Sequence, residues 1–167
     1  LALGGSLWSL FDFSAAETEF KRALELNPNL AHGHHWYGLF LSWEARHPEA
    51  LAHMRRAVEL DPLNLQYQSN LGQALANAGQ DDAAIEQLKK TMEMEPNFSY
   101  VHVELRQIYR DQGKYDLSMQ EWKRYAALNN DPEEMAIAAD CATAYAKSGI
   151  KAAIAREIEM KKEVGKR

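Results

Sequence analysis

A chain of 167 residues with 46% hydrophobic and 26% charged residues has the composition of one ordinary globular domain. Its net charge of -5 argues against a phosphate-binding surface, since nucleic-acid-binding domains usually carry a basic stripe. No apolar run approaches the ~20 residues that cross a bilayer, so no membrane span is expected. The single cysteine excludes an internal disulfide and leaves the redox compartment open. The chain opens on Leu1, with neither an initiator Met nor a signal-peptide pattern, and so reads as a segment of a longer protein. A cytoplasmic location is favoured.

A fixed spacing organises everything that follows. Pro28, Pro62 and Pro96 stand 34 residues apart, Ala16, Ala50 and Ala84 each lie twelve residues before them, and Gly4, Gly38 and Gly72 twelve before those. Small residues at constant offsets over such a period mark an array of helical repeats. Residues 1–30 hold a truncated first copy. Leu3, Leu7 and Leu10 form one helical stripe, and a second helix is predicted from about Ser14, as N-cap, to Leu26. Residues 31–64 form a complete helix pair, in which Tyr37, Gly38 and Leu41 face Ala50, Met54 and Ala57. Gly38 and Ala50 allow close approach, and Pro48 opens the second helix.

Residues 65–98 are the most regular copy, with Leu71, Gly72, Leu75, Ala84, Leu88 and Pro96, and with Gly79 predicted to end the first helix in the left-handed conformation. Residues 99–132 drift. Arg106 replaces the packing glycine, Ser118 the first alanine and Tyr125 the later small residue, while Pro132 falls two residues late. The arginine stem is expected to lie along apolar surface with its charge in water. Residues 133–167 make a degenerate last pair. Ala138, Cys141, Ala142 and Tyr145 are its first-helix core, and Ile154 and Ile158 its second. This pair is expected to sit at its own angle to its neighbour. The tail KKEVGKR places cations at a helix C-terminus.

Leu71-Gly72, Leu75, Gly79, Ala84, Leu88 and Pro96, matched by Tyr37-Gly38, Leu41, Ala50, Met54, Ala57 and Pro62, resemble the tetratricopeptide repeat family over almost the whole chain. The resemblance implies an all-α fold, a right-handed superhelical solenoid of about five antiparallel helix pairs forming one array over residues 1–167. It further implies a concave groove, lined by the first helix of each pair, that binds peptides or partner proteins. The stretches FSAAETEFKRALELNPN and HHWYGLFL also resemble repeats appended to bacterial signalling proteins: kinases, cyclases and winged-helix regulators.

No catalytic constellation stands out: there is no phosphate-cradling glycine loop, nucleophile elbow or H-E-x-x-H. The chain reads as non-catalytic and without a cofactor. Cys141 falls on the core register and is expected to be a buried small hydrophobe. His32 and His35 are a helical i, i+3 pair, but no thiol or carboxylate in that turn completes a metal set, and His34 falls on the core-facing side with Gln68 and His102.

The groove-facing stripe differs between copies. Residues 65–98 offer Gln66, Ser69, Asn70, Gln73 and Asn77, whereas residues 31–64 put His32, His35, Trp36, Leu39 and Trp43 in the same places, with Trp8 nearby from the first copy. Further along come Tyr100, Val103, Glu104, Gln107, Arg110 and Asp111, then Asp140, Thr143 and Lys147. Grouped aromatics of this kind suggest a surface for a protein or peptide partner. They would equally suit packing against neighbouring copies or a preceding segment. Some members of the family grip a C-terminal carboxylate with lysine, asparagine and arginine on successive first helices. Here Asn70 alone fits, with Leu39, Tyr100 and Glu104 in the other places. The reading is an interaction module. Its alternative is a structural or self-associating element of a signalling or transcription-regulatory protein, forming homo-oligomers through the truncated N-terminal end. An RNA-binding repeat is disfavoured by the charge and by the absence of a repeated base-reading pair.

Overall fold

The computed structural model describes residues 13–164, and every element within them is an α-helix. In chain order these are α1 (Phe13–Leu26), α2 (Ala31–Trp43), α3 (His47–Leu60), α4 (Leu65–Asn77), α5 (Asp81–Met94), α6 (Tyr100–Asp111), α7 (Tyr115–Leu128) and α8 (Pro132–Val164), the last broken at Gly149. Gly4, the stripe of Leu3, Leu7 and Leu10, and Trp8 lie outside the described residues, as does the very end of the tail. The expected N-cap of α1 is displaced. Ser14 lies inside the helix, where its carbonyl accepts a hydrogen bond from Thr18 Oγ1 at 2.9 Å. The helices group into two compact units, divided between Met94 and Glu95.

In the first unit the core begins where Phe20 of α1 stacks on Tyr37 and Phe40 of α2, with Ala16, Leu41 and Ala50 buried around them. Antiparallel pairing of α2 with α3, and of α4 with α5, follows from the glycine ruler. A Cβ built on Gly38 would stand 3.0 Å from Met54 Cε, and one on Gly72 would stand 2.7 Å from Leu88 Cγ and Cδ2. The two clashes differ in what can yield, because methionine ends in a flexible thioether whereas Leu88 is wholly buried and branched. Gly72→Ala is therefore expected to lose about 1–3 kcal/mol in urea unfolding despite alanine's better helix propensity, and Gly38→Ala less than ~1 kcal/mol. Equal losses would mean that Leu88 repacks as easily as Met54.

The turns within the pairs need a left-handed residue. Gly79 supplies it at φ 73, and Gly113 and Gly149 do the same in their own pairs. The equivalent place in the second copy is Ala45, at φ 56, where the Cβ crowds the following carbonyl at a cost of about 1–2 kcal/mol. As expected, Pro48 sits in the first turn of α3. Asn64 caps α4 by accepting from the Tyr67 amide at 3.2 Å.

The second unit is built round Trp122 of α7, which is fully buried against Ile137, Ala138, Cys141 and Ala153. The late proline has a local cause. Asn130 turns the chain at φ 50, Asp131 Oδ1 accepts from the Glu133 and Glu134 amides, and Pro132 stands at the start of α8, where it needs no donor. Two expectations are corrected here. Ile154 and Ile158 are not core residues, being 49% and 50% exposed, because Ala153 turns inward instead and the large indole leaves room only for a small side chain. Arg106 does not send its charge into water. Its guanidinium lies 3.7 Å over the Trp122 ring and within 3.5 Å of Glu157 Oε1, and burial pulls its pKa down from the usual arginine value. Ala142 and Tyr145 are half-buried, with Tyr145 packed against the Trp122 cluster as expected and its ring edge-on to Tyr115. Cys141 is buried as expected, and burial raises its thiol pKa.

Candidate partner-binding groove

The first helices of the first unit, α2 and α4, present the stripe that the sequence singles out. Along α2, His32, Trp36 and Trp43 are exposed, Leu39 is half-buried and His35 is buried. Trp36 is 36% exposed and Trp43 69%. Along α4, Asn77 is exposed, Gln73 half-buried and Asn70 buried. In the second unit, Tyr100, Gln107 and Arg110 of α6 are exposed and Glu104 is buried, hydrogen-bonded by the Tyr100 hydroxyl. Burial and the Glu104 carboxylate raise the Tyr100 pKa. Gln107 donates to Asp111 at 2.8 Å and accepts from Arg110.

Residues within the α2 stripe also brace one copy against the next. Trp36 Nε1 donates to His32 Nε2 at 2.6 Å, which leaves His32 Nδ1 facing the Tyr67 hydroxyl at 3.4 Å. The Asn70 amide donates to His35 Nε2 at 2.7 Å, Gln66 donates to Asn70 Oδ1 at 2.9 Å, and the His35 ring lies 4.7 Å from that of Tyr67. An Nε2 that accepts puts the imidazole proton on Nδ1, which is buried and has no partner. Burial, together with neighbouring His32, holds the His35 pKa down to about 4, so the ring is neutral at ordinary pH. Asn70 is thus committed to bracing the array. The three histidines are occupied with protein groups, not gathered round a common point.

His34 belongs to a different set that sequence reading found by half. It faces His53, Nδ1 to Nδ1 at 2.9 Å, while its Nε2 donates to the Pro28 carbonyl at 3.0 Å. One period on, Gln87 donates to Gln68; one further, His102 and Glu121 Oε2 meet at 2.5 Å, with Arg124 on the other carboxylate oxygen at 2.7 Å. Each pair spans 19 residues and ties the first helix of a copy to its second. The first partners, His34, Gln68 and His102, were visible as a register. The second, with three chemistries in three copies, carried no common signal.

Among the described residues no helix is long and apolar enough to cross a membrane. A profile of the tetratricopeptide repeat family matches residues 44–108 and a second tetratricopeptide repeat profile matches residues 1–30, together more than half of the chain. No curated protein matches. Among solved structures, the crystal structure of MamA superposes with a TM-score of 0.74 at 18% identity, covering 100% of this chain and 99% of that one. The protein TTC0263, described as a thermophilic TPR protein in Thermus thermophilus, gives 0.72 at 23% identity, covering 96% of this chain and 87% of its own. Identities of this size establish a shared fold, and with the profiles and the repeat register they show that the chain belongs to the tetratricopeptide repeat family.

Proposed function

We propose that the chain is a non-catalytic module that binds an extended or helical segment of a partner protein along its first helices, with the α2 aromatics as the anchor. The family's fold is a scaffold for protein–protein contact; which face is used, and for what, is the further step. One observation carries it. Trp36 and Trp43 stay exposed at places where the next copy has Asn70 and Asn77. Indole rings left at a surface are disproportionately frequent as binding hot spots.

Panning a peptide library on the chain tests this. Trp36→Asn with Trp43→Asn is expected to lower the affinity of selected peptides by about 100-fold or more, roughly two hot-spot residues' worth, with the helical circular-dichroism signal unchanged. Unfolding of the double variant would make the tryptophans structural and sink the reading. So would peptides that bind it undiminished. The alternative is a self-associating element of a larger protein. A monomeric mass by light scattering at high concentration would remove it.

A further inference from the structure

A cavity of about 500 Å³ lies on the first unit between the α3 face and the turn that follows α4, sharing Asn77 with the groove-facing stripe. Its volume lies within the range of small-ligand sites. On the α3 side, His47, Leu51 and Arg55 follow one another at four-residue spacing, so they share a face about 12 Å long. The opposite wall brings Asn77 and Gln80. Leu51 is buried and, with Ala52, provides an apolar floor.

The polar groups round this floor are unspent. The other described arginines all have polar partners: Arg22 with Glu25, Arg46 with Glu17 and Glu49, Arg56 with Glu59, Arg106 with Glu157, Arg110 with Gln107, Arg124 with Glu121, and Arg156 with Asp140. Arg55 has no ion pair or hydrogen bond among the described residues. The side chains of Asn77 and Gln80 likewise make none. No carboxylate lines the cavity.

An apolar floor, one guanidinium and two side-chain amides, with no acid among them, are complementary to a single negative charge on an apolar body. We propose that this cavity binds a monocarboxylate with an aliphatic or aromatic body, the carboxylate held by Arg55 and the body lying over Leu51 and Ala52. The planar guanidinium matches a carboxylate in two parallel hydrogen bonds, and a single cation suits one charge better than the two of a phosphate monoester. The ligand is either a free small acid or the carboxy-terminal residue of a peptide, which share this chemistry. The site shares Asn77 with the groove stripe but includes none of the α2 aromatics on which the proposed function rests.

The test is amide and side-chain chemical-shift perturbation in the ¹⁵N-labelled chain. The probes are 3-phenylpropionate, its carboxamide, and N-acetyl-Ala-Phe with a free or an amidated end. The expected result is saturable shifts at Ala52, Arg55, Asn77 and Gln80 with the acids, weakened about 10-fold or more in the amides and in Arg55→Gln. Trp36→Asn with Trp43→Asn should leave them unchanged, which separates this site from the groove. Binding by the free dipeptide acid as well as by phenylpropionate identifies a peptide terminus as the source, and binding by phenylpropionate alone identifies a small acid. No saturable shift up to about 10 mM, equal binding by acid and amide, or full binding by a folded Arg55→Gln variant overturns the proposal.

Discussion

Lowering the pH from 7 to 4 is expected to cost the first unit on the order of 3–6 kcal/mol of stability, through two imidazoles that the fold holds neutral. Burial keeps His35 near 4, with His32 adding to the effect; burial likewise keeps His53 near 4, with His34 adding to it and Glu49 opposing. In the unfolded chain both titrate near 6.5. Between those values the unfolded state binds more protons, so their contribution is complete above about 6.5 and is lost as the pH falls toward 4. The His34–His53 contact makes this concrete. His34 Nε2 donates to Pro28, so its Nδ1 must accept from His53, which keeps the proton of the neutral His53 ring on Nδ1.

A second loss should follow at lower pH. The Arg46 and Lys21 side chains, with the Tyr37 hydroxyl, hold the Glu17 carboxyl down to about 2, so its contribution is present above about 4.5 and disappears as the pH falls through the folded value. Melting temperatures across pH 7, 5.5, 4 and 3 would resolve the two steps. His34→Gln with His53→Gln copies the Gln68–Gln87 pair of the next repeat, and adding His35→Gln keeps an acceptor for Asn70. This triple variant should flatten the upper step and leave the lower one. A wild-type curve that is level between 7 and 4 would show that the imidazoles are protonated without cost.

The same residues show how far the fold could be read from the chain alone. Gly38 and Gly72 were legible because a missing side chain at a fixed offset has one structural meaning, and Met54 and Leu88 fill the space it leaves. Ala45 was not, since nothing marks an alanine as left-handed except the glycines 34 and 68 residues later in Gly79 and Gly113. Ile154 and Ile158 misled because periodicity ranks candidates by hydrophobicity, whereas the space beside Trp122 selects by size and takes Ala153. In the groove, comparing copies singled out Trp36 and Trp43 but left open whether they are exposed or packed; the structure leaves them exposed. That His35, Asn70 and Glu104 are buried was not, because their partners Tyr67, Gln66 and Tyr100 carry no shared pattern. The cavity near Arg55 had no signal at all. A cation that lacks a partner is a property of three-dimensional neighbours.

Trp122→Ala should be the most damaging single truncation in the second unit, costing about 3–5 kcal/mol. Trp122 is wholly buried, and its ring is the common surface for Ile137, Ala138, Cys141 and Ala153. Those neighbours are too small to fill the cavity it would leave. Two polar groups would also lose their counterpart. Trp122 Nε1 donates to Glu134 Oε1 at 2.6 Å, and the Arg106 guanidinium, where the repeat pattern has a glycine, stacks on the ring. Trp122→Phe separates packing from polarity, since it keeps an aromatic face for Arg106 but leaves Glu134 without its donor. It should cost about 1–3 kcal/mol. Arg106→Gly, which restores the repeat pattern, should also destabilise by about 1–2 kcal/mol, because it removes the cation over the ring, one of Glu157's two ion pairs and the residue's helix propensity together. Urea unfolding gives all three values. If Arg106→Gly stabilises the chain, then the arginine is a tolerated misfit and the tryptophan alone holds the last helices. If instead Trp122→Ala costs less than ~1 kcal/mol, α8 closes onto α7 without it and the core does not depend on the indole.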